Sequence, residues 1–118
     1  MSDLTIWHNP RCSKSREALA LLEGTGLEIE VRRYLDAPPS AAEIAALLGK
    51  LGCAPRALMR TKERRYAELG LAEVDDPRAL IQAMAEEPIL IERPVIIRGD
   101  RAVIGRPPER ARELLGGG

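Results

Sequence analysis

The chain is short of the residues around which small redox and metal proteins are usually organised. Its 118 residues include one histidine, His8, and two cysteines, Cys12 and Cys53. Two cysteines so far apart make no disulfide framework, which points to a reducing, cytoplasmic setting. With a single histidine they also lack metal-ligand spacing, so no metal is expected. Aromatic residues are 3% of the chain, which offers no platform for stacking bases. Lys plus Arg and Asp plus Glu are equal at 18 each, so there is no basic surplus to hold nucleic acid. No apolar run approaches the ~20 residues of a membrane span. Met1-Ser2-Asp3 does not open a signal peptide. What remains is a length that suits one domain, residues 1–118, with a real hydrophobic core.

The patterning supplies an order of elements. Leu4 to His8 reads as a strand, and Asn9-Pro10 as a turn. From Ser13 the pattern is helical, with Ser15, Leu19 and Leu22 on one face, until Gly24 and Gly26 stop it. Leu27, Ile29 and Val31 alternate with Glu28, Glu30 and Arg32, a half-exposed strand. Strand, helix and strand make a βαβ unit with a parallel pair. Ser40 to Glu43 is a capping box, followed by Ile44, Leu47, Leu48 and Leu51 at helical spacing. Arg56 to Leu71 is less regular. Asp76-Pro77 starts another helix, with Leu80, Ile81 and Met84 on its apolar face, and Pro88 ends it. Residues 95–97 and 102–104 flank a Gly99-Asp100 turn as a hairpin. Pro107 and Pro108 begin a last helix carrying Ala111, Leu114 and Leu115, and Gly116 to Gly118 are expected to fray. The order is β-α-β, a helical insertion over about 38–90, then β-β-α.

The only histidine stands four residues before Cys12, in His8-Asn-Pro-Arg-Cys12-Ser-Lys-Ser15-Arg. A dithiol centre would need a second cysteine where Ser15 stands. A single thiol is a nucleophile only as thiolate. Lowering its pKa from ~8.5 to about 6.5 stabilises the thiolate by ~2.7 kcal/mol. Several sources are at hand. Cys12 lies just ahead of a helix, where open N–H groups and the positive dipole end favour an anion. Arg11, Lys14 and Arg16 add positive charge. His8 can donate a hydrogen bond or carry charge, and the Ser15 hydroxyl, one turn on, can point back at the sulfur. The same loop suits a bound oxyanion. The residues alone leave two readings of Cys12 open, a thiolate nucleophile or an inert thiol. Cys53, between Gly52 and Ala54, reads as a packing residue, and the run Lys62-Glu-Arg-Arg65 as a solvated helix face.

Together, "HNPRCSKSR", "LMR" at 58–60, "ERPVI" at 92–96 and "IGRPPE" at 104–109 resemble the glutaredoxin-coupled arsenate reductase family, and most nearly a short bacterial branch of it. The resemblance runs from Leu4 to about Leu115. It implies an α/β, thioredoxin-like fold with a four-stranded mixed sheet. It implies an oxidoreductase in which Cys12 attacks arsenate, glutathione and then glutaredoxin supply electrons, and arsenite leaves. No bound cofactor is implied; glutathione is a co-substrate. Glutathione as the source of the resolving thiol would explain the missing second cysteine. Arg60, Arg93 and Arg106 fall on the family's oxyanion-binding arginines, whose guanidinium forks hold two oxygens at once. His8 falls on the residue that favours the thiolate, and Pro94 on a cis proline facing the cysteine. Arg11, Ser13 and Lys14 replace the small or neutral residues of the best-known members, which bears on the substrate rather than on the thiol. A monomer is expected. Two other functions fit the same residues: a redox-regulatory module binding RNA polymerase, against which Ser15 counts, and a thiol-transfer enzyme acting on glutathione mixed disulfides.

Overall fold

The computed structural model describes residues 3–115. The chain divides into two compact units, one of residues 1–37 with 93–118 and one of residues 38–92. In the first unit, β1 (Leu4–Trp7) is an inner strand. It pairs in parallel with β2 (Ile29–Arg32), Leu4 opposite Ile29 and Trp7 opposite Arg32. On its other side it pairs antiparallel with β3 (Val95–Arg98), Trp7 opposite Val95. β4 (Arg101–Ile104) completes a mixed sheet of order β2-β1-β3-β4. The expected hairpin between β3 and β4 is present, and Gly99 at φ +61 supplies the positive φ that so short a loop favours. This is the thioredoxin-like α/β arrangement with a four-stranded mixed sheet.

A parallel pair needs a crossover, and α1 (Ser13–Glu23) provides it. It buries Ser15, Ala18 and Leu22, while Leu19 is only partly buried. Ala18 and Leu22 pack with Leu4, Ile6, Ile96 and Val103. The last segment differs from expectation: Pro108–Leu114 is a 3₁₀ helix, not an α-helix. Its buried residues, Pro108, Ala111 and Leu114, recur every three positions, which a helix of three residues per turn places on one face. Arg98 and Arg101 hold this segment by donating to the carbonyl oxygens of Leu114 (2.9 Å) and Glu113 (2.7 Å). The closing glycines 116–118, expected to fray, lie outside the described residues.

The second unit is helical. Ser40 and Glu43 form the capping box of α2 (Ala41–Leu51). α2 packs against α4 (Pro77–Glu86), capped by the Asp76 carboxylate on the Arg78 N–H. The irregular stretch between them resolves into α3 (Arg64–Glu68) with 3₁₀ turns at Pro55–Leu58 and Leu71–Glu73. Arg56 ties these pieces together. Its guanidinium donates to the Tyr66 hydroxyl and to the carbonyl oxygens of Leu71 and Val74. Lys62 and Arg64 are exposed, and Arg65 pairs with Glu87 at 2.9 Å. No helix among the described residues is long and apolar enough to cross a membrane.

β4 continues its pairing beyond Ile104, where the Gly105 N–H donates to the Pro94 carbonyl at 2.8 Å. A Cβ at position 105 would lie 2.9 Å from Pro94 Cγ and 3.1 Å from Ile96 Cδ1. The proline ring cannot swing aside. Gly105→Ala is therefore expected to cost about 1–3 kcal/mol through overpacking. A urea unfolding curve with the wild-type midpoint would show that this contact relaxes without cost.

Candidate active site

The register of the sheet assembles the site. With Trp7 opposite Val95 and Val95 opposite Ile104, the residues one step further on meet at one end of the sheet. These are the loop after β1, Arg93-Pro94 ahead of β3, and Gly105-Arg106 after β4. The His8 N–H extends the parallel ladder by one bond, to the Arg32 carbonyl at 2.7 Å. The Arg93–Pro94 peptide is cis, as the resemblance implies, and so is Arg106–Pro107, which the sequence did not signal. Arg106 donates from Nη1 to the Arg93 carbonyl at 3.3 Å.

The loop after β1 and the first turn of α1 hold the buried polar side chains of the described residues: His8, Asn9 and Ser15. Burying them is tolerable only with hydrogen bonds. Ser15 Oγ is 2.7 Å from His8 Nδ1 and accepts the Asn9 N–H at 3.1 Å. The hydroxyl expected to reach back to the sulfur is thus engaged with His8 and the Asn9 backbone instead. Burial, then the positive charges of Arg33 and Arg16, push the His8 pKa down against a smaller opposing effect of Glu23. These influences disfavour a cationic His8, so of the two roles the sequence left open the structure shows the hydrogen bond. Its partner is Ser15.

Cys12 is the N-cap residue of α1, half-buried, and its side chain makes no capping hydrogen bond. Burial is the largest single influence on the thiol and pushes its pKa up. The open backbone N–H of Ser15, the Arg93 guanidinium and the N–H of Lys14 together outweigh it, and the pKa is lowered. Arg93 also has a buried Nε with no hydrogen-bond partner among the described residues. Cys53, in the other unit, is a free thiol whose pKa burial raises. Arg60 also belongs to the helical unit, where it pairs with Glu63 at 3.4 Å and Glu92 at 3.3 Å. No group of three or more His, Cys, Asp or Glu placed to hold a metal occurs among the described residues.

The structure thus brings Cys12, His8, Ser15, Pro94, Arg93 and Arg106 to one end of the sheet. It adds Asn9, whose Oδ1 accepts the Arg11 N–H at 3.0 Å and whose carbonyl accepts the Cys12 N–H at 3.0 Å. The Asn-Pro pair reads as a turn from the sequence; the bonds Asn9 makes to Arg11 and Cys12 are seen only in the structure.

The two thiols should separate by reactivity. Iodoacetamide is expected to modify Cys12 with a pH midpoint below that of a free thiol, and Cys53 with one above it. Peptide mass spectrometry across pH reads both, and equal midpoints would remove the electrostatic account. His8 has a testable sign as well. Its folded pKa is depressed, so the unfolded chain binds the proton more readily. The stability His8 contributes is present in full above about pH 6.5 and is lost as pH falls through its lower folded value. His8→Gln should flatten the fall in urea midpoint between neutral and mildly acidic pH; an unchanged fall would place the acid sensitivity elsewhere.

The chain is similar to known proteins over nearly its whole length. It is 46% identical to a Neisseria meningitidis protein named arsenate reductase, over 98% of this chain and 100% of that one. It is 51% identical to the uncharacterized protein YfgD of Escherichia coli K12, over 94% and 95% of the two chains. A solved structure of the arsenate reductase from Vibrio cholerae superposes with a TM-score of 0.92 at 47% identity, covering 96% of this chain and 98% of that one. The ArsC family description matches residues 7–114, which include both ends of the thiol loop and the arginines at 93 and 106, and the chain belongs to the ArsC family.

Proposed function

We propose that the chain is an arsenate reductase that uses Cys12 as its single nucleophile and draws its electrons from glutathione and glutaredoxin. The observation that carries this reading is Arg93. Its guanidinium stabilises the Cys12 thiolate, and its buried Nε lacks a hydrogen-bond partner among the described residues. A half-buried cation with a spare donor beside a thiolate suits a substrate that is itself a tetrahedral oxyanion. The names of the relatives support the same substrate.

In the proposed sequence the Cys12 thiolate attacks arsenic(V), and one arsenate oxygen leaves as water after taking up protons. The thiolate of glutathione then attacks the Cys12 sulfur, and the S–As bond breaks. Its electron pair stays on arsenic, which leaves as arsenite. The two electrons gained by arsenic are those lost by the two sulfurs, which end as a mixed disulfide. Glutaredoxin reduces that disulfide and restores Cys12. Within this scheme Arg93 and Arg106 hold the anion, and the open N–H groups of Lys14 and Ser15 stabilise the thiolate before attack and as leaving group. His8 acts through Ser15, keeping the loop in place. Arg60, which the resemblance aligns with a third anion ligand, is engaged with Glu63 and Glu92 in its own unit.

The test is NADPH oxidation coupled through glutathione reductase, with arsenate, glutathione and glutaredoxin. Wild type should turn over, and Cys12→Ser should fall to background, because a hydroxyl is a far weaker nucleophile at neutral pH. Arg93→Ala should raise the KM for arsenate at least tenfold with little change in urea midpoint; an equal loss of folding would make it a structural arginine. Wild-type silence beside an active control enzyme, with turnover of a glutathionylated peptide, would replace arsenate by a mixed-disulfide substrate.

A further inference from the structure

The thiol loop is organised around a residue that the proposed chemistry does not use. Asn9 is 9% exposed and lies between His8 and Pro10. Its backbone N–H donates to Ser15 Oγ at 3.1 Å, its Oδ1 accepts the Arg11 N–H at 3.0 Å, and its carbonyl accepts the Cys12 N–H at 3.0 Å. The last of these is the i to i+3 bond of a β-turn. Asn at its first position and Pro at its second are the residues such a turn favours, and the Oδ1 bond is an Asx bond nested inside it. A further bond braces the turn from outside, Arg16 Nη1 donating to the Pro10 carbonyl at 2.9 Å.

The turn decides which N–H groups serve the sulfur. The Cys12 N–H is spent on the Asn9 carbonyl, so it is not free for an anion. Cys12 then enters the helix in an extended conformation, φ −96 and ψ 121, with its own carbonyl accepting the Arg16 N–H. In that conformation the side chain lies over the first turn of α1, where the N–H groups of Lys14 and Ser15 are open. The Asn9–Ser15 bond fixes the far side of the same turn, because Ser15 is also the residue whose N–H faces the sulfur.

We propose that Asn9 is a positioning residue for the nucleophile: its three hydrogen bonds lock residues 9–12 in the turn that seats the Cys12 sulfur over the open N–H groups at the start of α1. Asn9 acts through Cys12. Removing its side chain takes away the acceptor of the Arg11 N–H and frees the turn to open. The sulfur then samples positions away from Lys14 and Ser15, and the thiolate is less favoured. The proposal rests on the reading of Cys12 as a thiolate nucleophile.

The experiment is iodoacetamide alkylation of Cys12 across pH, followed by peptide mass spectrometry, on wild type, Asn9→Ala and Asn9→Ser, with a urea unfolding curve for each. Asn9→Ala is expected to raise the alkylation midpoint by about half a pH unit or more. Asn9→Ser should fall between Ala and wild type, since a serine hydroxyl offers the same turn bond more weakly. An Asn9→Ala midpoint equal to wild type overturns the proposal, as does a serine variant no better than alanine. Should Asn9→Ala not fold, the serine variant decides alone: an upward shift supports the role, and no shift overturns it. A wild-type midpoint at that of a free thiol removes the reactive thiolate itself. A depressed wild-type midpoint that Asn9→Ala leaves in place removes only the role of Asn9.

Discussion

The site depends on β1 being hydrogen-bonded along both edges. Its parallel partner β2 requires α1 as a crossover, which sets Cys12 at a helix N-terminus. Its antiparallel partner β3 carries Arg93-Pro94 to the same end of the sheet, because Trp7 faces Val95. The third contribution, Arg106, follows from the pairing of β4 with β3. A slip of β1 by one residue against β3 would turn Leu4 and Ile6 out of the core and carry Arg93 away from Cys12 together. Packing and chemistry are therefore held by the same constraint.

At the thiol itself two effects of opposite sign compete. Withdrawal from water favours the neutral thiol and is the larger single contribution, yet the lowered pKa shows that it loses to the sum of several donors. Those donors come from two places. The N–H groups of Lys14 and Ser15 are left open by the start of any helix, whereas Arg93 arrives from 81 positions away in the numbering. His8, by contrast, has its pKa pushed down by burial first and then by Arg33 and Arg16, none of which helps the thiolate. Its value to the site is a hydrogen bond to Ser15 rather than a charge. Ser15 Oγ, from the first turn of α1, gathers the His8 ring and the Asn9 N–H, which is how a polar loop survives beside an apolar core.

Much of this was legible in the sequence where the signal is local. The capping box at Ser40, the Asp76-Pro77 start, the Gly99-Asp100 hairpin and the strand–turn–helix around Cys12 all depend on residues within a few positions of one another. Their physics is that of turns, caps and periodicity, and it needs no neighbours. The readings that failed were those in which a distant group took over. The last helix is 3₁₀ because Pro108, Ala111 and Leu114 must all face the core. The Ser15 hydroxyl serves His8 and the Asn9 N–H, not the sulfur. The stretch from Arg56 to Leu71 read only as irregular, and the folded chain shows Arg56 gathering Tyr66, Leu71 and Val74.

By itself the sequence determined the order of elements, the absence of a dithiol centre and the placing of one cysteine where a strand hands over to a helix. Those are consequences of hydrophobic period, turn residues and residue count, which are properties of the chain in any conformation. The tertiary structure decided the direction in which the His8 pKa moves, the guanidinium that meets the thiolate and the spending of the Cys12 N–H on Asn9. Each of these is set by burial or by pairing between residues far apart in sequence. Burial and long-range pairing exist only once the sheet has closed.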